Sequence, residues 1–257
     1  MTNMSSSGKP VVLLVGGSWH LPIHYSKLID QIKVLGFECV CPKLPSIGEG
    51  RAGKTWEDDA RHIQNTALPL FEAGKEVFLV AHSYGGIPAC AATQGLGVSE
   101  RAAKGLKGGF IHIVFLTAFA LPAHITLIAA LGGEWPEWID HEELNSKLGN
   151  TSTRANEITK ALIYNDIPED ETQRVFESLQ PQSQAAFEVP VTYVATDLAI
   201  PKTFVICKKD PAAGSVTEET LTATIPGMKV ESIDAGHSPF LSKPEECARL
   251  LIKILQN

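Results

Sequence analysis

The sequence predicts an α/β protein: a mostly parallel central sheet with helices on both faces and an inserted helical cap. Three observations carry this. Apolar runs at residues 11–15, 77–80, 110–116 and 202–207, with a last one at 228–233, read as strands, and the non-alternating ones suit strands buried on both faces. Between them lie stretches with helical apolar spacing, the rhythm of βαβ units. That rhythm breaks once, from residue 123 to about 200, and then resumes.

Taken in order, residues 1–9 are polar and small and predict a flexible N-terminal tail. The first strand begins at Pro10 and runs to Val15, directly before Gly16-Gly17-Ser18-Trp19-His20. Glycines after a buried strand let the backbone turn back with its N–H groups exposed, as an oxyanion hole or phosphate cradle requires. Within this loop, Gly16 to His20, there is neither G-x-G-x-x-G nor Gly-Lys-Ser/Thr to support the phosphate reading. Leu28, Ile32 and Leu35 give a helix over residues 25–35 that Gly36 stops, and residues 37–41 form a second strand. A loop with Pro45, Gly48, Gly50 and Gly53 leads to Thr55, where Asp58 three residues on marks a capped helix start.

The next strand runs into Ala81-His82-Ser83-Tyr84-Gly85-Gly86. A strand must turn sharply into a helix here, and small residues two before and two after Ser83 permit such a turn. It would expose the Ser83 hydroxyl and aim the Tyr84 N–H at any oxyanion formed beside it. An ordinary turn can carry the same pattern, so a nucleophilic serine also needs a histidine to take its proton and a carboxylate to orient that histidine.

Residues 123–200 supply helical patterns, among them a start at Asp166-Ile167-Pro168-Glu169, but no strong strand. They predict a cap over Ser83, with Trp135, Trp138 and Phe187 offering apolar walls beside Trp19 and Phe119 from the core loops. The domain plan is thus a core of residues 10–122 and 201–257 with 123–200 inserted. Asp210 follows the strand at 202–207, at the sheet edge where side chains converge on a site. His237 lies on the glycine-bent loop after the last strand, and an amphipathic helix closes the chain. The order Ser83, Asp210, His237 differs from those of chymotrypsin-like and subtilisin-like folds. His20 and His24 form an i, i+4 pair but lack a third metal ligand nearby.

Composition narrows the function. The chain has 257 residues, 44% of them hydrophobic, and a net charge of -7, which argues against nucleic acid or an anionic membrane as main partner. No apolar run is long enough for a membrane span or signal-peptide core, so a cytoplasmic protein is expected. Five cysteines, mostly within apolar runs and without zinc spacing, read as reduced buried thiols.

Val15-Gly16-Gly17-Ser18-Trp19, Ala81-His82-Ser83-Tyr84-Gly85-Gly86, Phe115-Leu116-Thr117-Ala118-Phe119, Cys207-Lys208-Lys209-Asp210 and Gly236-His237 together resemble the α/β-hydrolase superfamily over nearly the whole chain. Within it they are similar to plant methyl-ester esterases and hydroxynitrile lyases. The resemblance places the nucleophile on Ser83, the acid on Asp210, the base on His237 and the oxyanion N–H groups on Tyr84 and Ser18. It implies a hydrolase of small carboxylic esters or lactones that needs no cofactor or metal. Two departures are Gly16-Gly17 where the family has His-Gly, and Ala81 for the elbow's first glycine. Ser238 stands where the lyases carry a lysine for departing cyanide, which disfavours cyanide chemistry. A C–C bond lyase on the same triad and a ligand-binding homologue without turnover remain the alternatives. A homodimer is the assembly to test.

Overall fold

In the computed structural model of the chain, residues 8–141, 151–212 and 216–257 are described. Most of the expected tail, residues 1–7, lies outside them, as do residues 142–150 of the expected cap. The described strands of the main sheet are β1 (Val11–Val15), β2 (Cys39–Val40), β3 (Glu76–His82), β4 (Gly109–Leu116), then, beyond the insertion, Lys202–Cys207 and Met228–Ile233. Within the insertion lie β5 (Ile139–His141), β6 (Ser152–Ala155) and β7 (Gln182–Ser183), so the last two core strands are β8 and β9. The main sheet has the order β2-β1-β3-β4-β8-β9, and every neighbouring pair is parallel.

Helices cover both faces because alternate residues of each strand serve opposite layers. Leu13, Val15, Leu79, Ala81, Ile113 and Phe115 pack with α2 (Trp56–Glu72) and α3 (Gly86–Ala92), numbering α1 as Ser26–Val34. Val12, Leu14, Phe78, Val80, Val114 and Leu116 pack on the other face with α1 and the C-terminal helix Pro244–Gln256. The predicted cap at α2 is present in both directions: the Thr55 hydroxyl accepts the Glu57 N–H, and the Asp58 carboxylate accepts the Thr55 N–H. All five cysteines are free, three of them buried. No described helix is long and apolar enough to cross a membrane.

Between β4 and β8 the insertion differs from the helices-only expectation. It holds α-helices at Glu157–Ile163 and Glu169–Glu177, but also the antiparallel sheet β5-β6-β7. Those strands have two to four residues each and carry Asp140, His141, Arg154 and Gln182, so no alternation long enough to read as a strand exists in the sequence. The sheet is tied to the core at the loop before α2: Ile47 bridges to Gln182, and the Ser183 N–H donates to the Ser46 carbonyl.

The expected cap at Asp166 is also different. Pro168 occupies the N-cap of the helix Glu169–Glu177 and makes no side-chain cap bond, while the Asp166 carboxylate accepts the N–H of Gly236 instead.

Candidate active site

The loops that leave β1, β3, β4, β8 and β9 all meet at the carboxyl edge of the parallel sheet. Ser83 sits where β3 ends and a single 3-10 turn, Ser83–Gly85, leads into α3. Its φ of 53° is left-handed, a conformation that costs a non-glycine residue about 1–3 kcal/mol and holds only where packing imposes it. The packing here comes from β1 more than from the serine's own strand. A Cβ on Gly85 would lie 2.6 Å from the Gly16 carbonyl oxygen and 2.8 Å from that of Val15. Glycine is required two residues after Ser83 because the elbow presses on β1, not because it meets Ala81.

His237 and Asp210 complete a hydrogen-bonded chain. The Ser83 Oγ lies 3.1 Å from His237 Nε2, and His237 Nδ1 lies 2.7 Å from Asp210 Oδ2. Because a carboxylate only accepts, Nδ1 carries the proton and Nε2 presents its lone pair to the Ser83 hydroxyl. The same Asp210 oxygen accepts the Thr117 hydroxyl at 2.5 Å, and the other accepts the Ala212 N–H at 2.8 Å. Burial alone would raise the Asp210 pKa, but His237, Thr117 and the Ala212 N–H together overcome it and hold the carboxyl below its ordinary range. Asp210 is therefore ionised at neutral pH.

Ser18 and Trp19 lie beside Ser83 on the loop after β1, and a Cβ on Gly17 would touch Ser83 Cβ at 2.9 Å. The backbone of this loop thus runs directly along the serine. Tyr84 places its N–H one residue after the serine, while its side chain points away: the ring stacks on Phe187 and the hydroxyl donates to Asp59 at 2.7 Å.

Above these groups is a cavity of about 480 Å³. Of the residues expected to wall it, Trp19, Phe119, Trp138 and Phe187 do so, joined by Leu127, Leu131 and Leu162. Trp135 does not. It packs behind the wall, tilted against Phe187 at 5.6 Å and stacked on His141 at 5.1 Å. Glu137 is the one acidic side chain among the described lining residues, and no lysine or arginine is among them.

The histidine pair near the first loop is spoken for. His20 Nδ1–H donates to the Ser18 carbonyl at 2.6 Å, and its Nε2 accepts the Tyr164 hydroxyl at 2.8 Å. His24 accepts the Leu21 N–H on Nδ1 and meets Ser178 Oγ through Nε2. Burial lowers their pKa values, to about 3 for His20, where the neighbouring His24 adds to the effect, and to about 4 for His24, so both rings are neutral. Among the described residues no group of three potential metal ligands occurs.

Several residues of the site gave little sign in the sequence. Tyr25 and His82 lie beneath the loop after β1, Thr117 holds Asp210, and Asn165 and Asp166 reach the loops from the insertion. His82 holds the elbow's variable position, and its only sequence signal was a polar side chain at the end of a buried strand.

A parallel sheet whose strand ends bring a strained serine and a histidine to one cavity, with a buried aspartate hydrogen-bonded behind the histidine, defines a hydrolase-like class of α/β protein. The chain belongs to the alpha/beta hydrolase family, whose model matches residues 11–250. It is 30% identical over 257 residues to a protein described as "Probable hydrolase R7" from Phoma sp. (strain ATCC 20986 / MF5453), covering 96% of this chain and 98% of that one. In fold it is similar to an extracellular alpha/beta-hydrolase from a Paenibacillus species, with a TM-score of 0.76 at 18% identity over 95% of this chain and 98% of that one. The methylesterase MES16 from Arabidopsis superposes with a TM-score of 0.72 at 17% identity, covering 96% and 99%.

Proposed function

We propose that the protein is a cofactor-independent serine esterase that cleaves uncharged, largely apolar carboxylic esters or lactones. One observation carries the reading: Ser83 Oγ, His237 and Asp210 form a continuous hydrogen-bonded chain opening into an apolar cavity. His237 Nε2 takes the Ser83 proton as Oγ attacks the ester carbonyl, and the Tyr84 and Ser18 N–H groups hold the resulting oxyanion. The imidazolium then protonates the departing alkoxide. Water, deprotonated by the same nitrogen, attacks the acyl-enzyme and releases the acid and the Ser83 hydroxyl.

The cavity supports the substrate class. Its volume of about 480 Å³ suits a medium-sized molecule rather than the smallest esters. With Glu137 and no lysine or arginine among its described lining, it offers an anionic carboxylate no permanent cation, whereas its apolar walls reward an uncharged acyl or alcohol group. Lys243, the nearest lysine after His237, faces Asp234 and Glu246, and Ser238 is buried, so nothing adjacent to His237 favours departing cyanide.

The test pairs turnover with labelling. Purified protein should hydrolyse p-nitrophenyl esters and bind a fluorophosphonate probe, and Ser83→Ala should lose the label and roughly 10⁴-fold or more of the rate. A Ser83→Ala variant as fast as the parent would overturn the assignment. Cleavage of a cyanohydrin or β-diketone faster than any ester would make the protein a lyase on the same groups, and a protein that binds such compounds without turnover or labelling would be a receptor.

A further inference from the structure

Three consecutive residues of the insertion each reach a different loop around Ser83. Tyr164, buried, donates its hydroxyl to His20 Nε2 at 2.8 Å, and the same ring holds the Ser18 carbonyl through Nδ1–H at 2.6 Å. The Asn165 side-chain amide donates to the carbonyl of Lys209, the residue before Asp210, at 2.8 Å. The Asp166 carboxylate accepts the N–H of Gly236, the residue before His237, at 2.7 Å. We propose that Tyr164-Asn165-Asp166 is a positioning clamp that sets the loops carrying Ser18, Asp210 and His237 against Ser83. The proposal rests on the serine-esterase reading for its kinetic consequence, but not for its structural one.

The steric evidence is independent of the hydrogen bonds. A Cβ at Gly236 would stand 2.2 Å from Asn165 Oδ1 and 2.6 Å from Asp166 Oδ1, so the base-bearing loop and the insertion fit only with glycine at this point. The three residues join the helices Glu157–Ile163 and Glu169–Glu177 rather than lying within either, and they give the loops no large apolar surface apart from the Tyr164 ring. Their contact with the sheet edge is therefore polar, directional and sensitive to the angle at which each loop arrives. Misplacing reacting groups by about 1 Å can cost on the order of 100-fold in rate. A clamp on the residue before each partner acts at that scale, whereas a general packing role would spread its effect over the fold.

Asp166 gives the cleanest variant because its second oxygen, Oδ1, is buried without a hydrogen-bond partner. Asp166→Ala deletes the acceptor, while Asp166→Asn keeps an amide oxygen for the Gly236 N–H. Amide hydrogen exchange at Gly236, turnover of a p-nitrophenyl ester and the melting temperature are measured on the full chain. Asp166→Ala is expected to speed Gly236 exchange at least tenfold and lower kcat at least tenfold with KM within about twofold, and Asp166→Asn to recover most of both. Gly236→Ala, which pushes the insertion off the loop, should repeat the Asp166→Ala result. If Asp166→Ala lowers the melting temperature yet leaves kcat and Gly236 exchange as in the parent, the clamp is refuted and the role is ordinary stabilisation. If the parent itself neither turns over esters nor takes a fluorophosphonate label, the esterase reading fails, and the exchange at Gly236 still decides the clamp.

Discussion

His82 donates its Nε2–H to the main-chain carbonyl of His237 across 2.9 Å, so the residue before Ser83 holds the backbone of the residue that faces Ser83. The direction of every bond in this chain is forced. The His237 carbonyl only accepts, so the His82 proton is on Nε2 and Nδ1 must accept the Tyr25 hydroxyl at 2.9 Å. Tyr25 Oη in turn accepts the Gly17 N–H at 2.8 Å. Burial, reinforced by the nearby His237 and His20, holds the His82 pKa well below its ordinary value, and the ring stays neutral as this chain requires. The departure Gly16-Gly17 has its reason here. A Cβ on Gly16 would meet the Tyr25 ring at 3.0 Å, and one on Gly17 would meet His82 Nδ1 at 2.9 Å.

Tyr25→Phe tests this chain with little change of shape, since the ring keeps its place 4.2 Å from Phe240. The variant leaves the Gly17 N–H and His82 Nδ1 without their partner in a buried site, each worth about 1–3 kcal/mol. A fall in urea-unfolding free energy of that order is expected, together with lower turnover because the loop carrying Ser18 loses its tether. Parent-like values for both would mean that the hydroxyl is idle.

Gly85→Ala separates steric from conformational need. Gly85 has an ordinary φ of -54°, so glycine is not there for backbone freedom. Its missing Cβ would overlap two main-chain oxygens of the fully buried β1, which cannot move aside cheaply. The variant should lose at least the 1–3 kcal/mol typical of overpacking, roughly, or fail to accumulate as folded protein. Gly50→Ala is the contrast: nothing lies within 4 Å of its Cβ position, and only its φ of 69° opposes alanine, so a loss of about 1 kcal/mol is expected. Equal stability of the two variants by denaturant titration would contradict the account of the elbow.

How much of this was legible beforehand depends on the reach of each signal. Ser83 stands directly after β3, and Asp210 and His237 stand shortly after β8 and β9, and buried strands followed by glycine or turn residues announce themselves in a few adjacent positions. The two-face layering of the core follows from the same apolar runs. What could not be read depends on contacts between distant loops. Tyr25 lies 57 residues from His82 and Asp166 lies 70 from Gly236, and nothing local to either side chain marks its partner. Trp135 and Trp138 look alike in sequence, yet only Trp138 reaches the cavity, because the turn before β5 points one inward and the other behind Phe187. Asp166 resembled a helix cap because a short polar side chain before Pro-Glu usually serves one, and here a tertiary N–H competes for it successfully.

Asp59 makes a pH prediction of definite sign. It lies in the first turn of α2, fully buried, where it accepts the Ser46 N–H, the Ser46 hydroxyl and the Tyr84 hydroxyl. Burial raises its pKa from 3.8 to about 6 despite those bonds, which favour the ionised form. Between roughly pH 4 and 6 the folded protein therefore keeps a proton that the unfolded chain has released, and this residue's contribution to stability falls as pH rises through that window. Other carboxyls, Asp210 among them, push the opposite way, so the informative quantity is the difference between Asp59→Asn and the parent. The stability of Asp59→Asn relative to the parent should improve from pH 4 to pH 7. A difference that stays flat across the interval would show that Asp59 titrates as it does in the unfolded chain.

Trp138→Ala probes the cavity without dismantling its support. The indole is only partly buried and lines the cavity, while the Trp138 main-chain carbonyl is held separately by the Thr159 hydroxyl. Phe187 also lines the cavity but is 1% exposed and stacked between Trp19 and Tyr84, so its truncation would cost about 3–5 kcal/mol and confuse fold with specificity. Removing the indole enlarges the space over Ser83, and extra apolar groups fitted into such a pocket are worth about 1–3 kcal/mol, or 10–200-fold, in discrimination. Across p-nitrophenyl esters graded from acetate to octanoate, kcat/KM for the longest acyl chain relative to the shortest should rise at least tenfold over the parent ratio. The gain should appear mainly in KM, because Ser83, His237 and Asp210 keep their hydrogen bonds. An unchanged ratio, with the variant folded by its melting curve, would mean that the acyl group does not extend toward Trp138 and that the alcohol half of the ester occupies this end of the cavity.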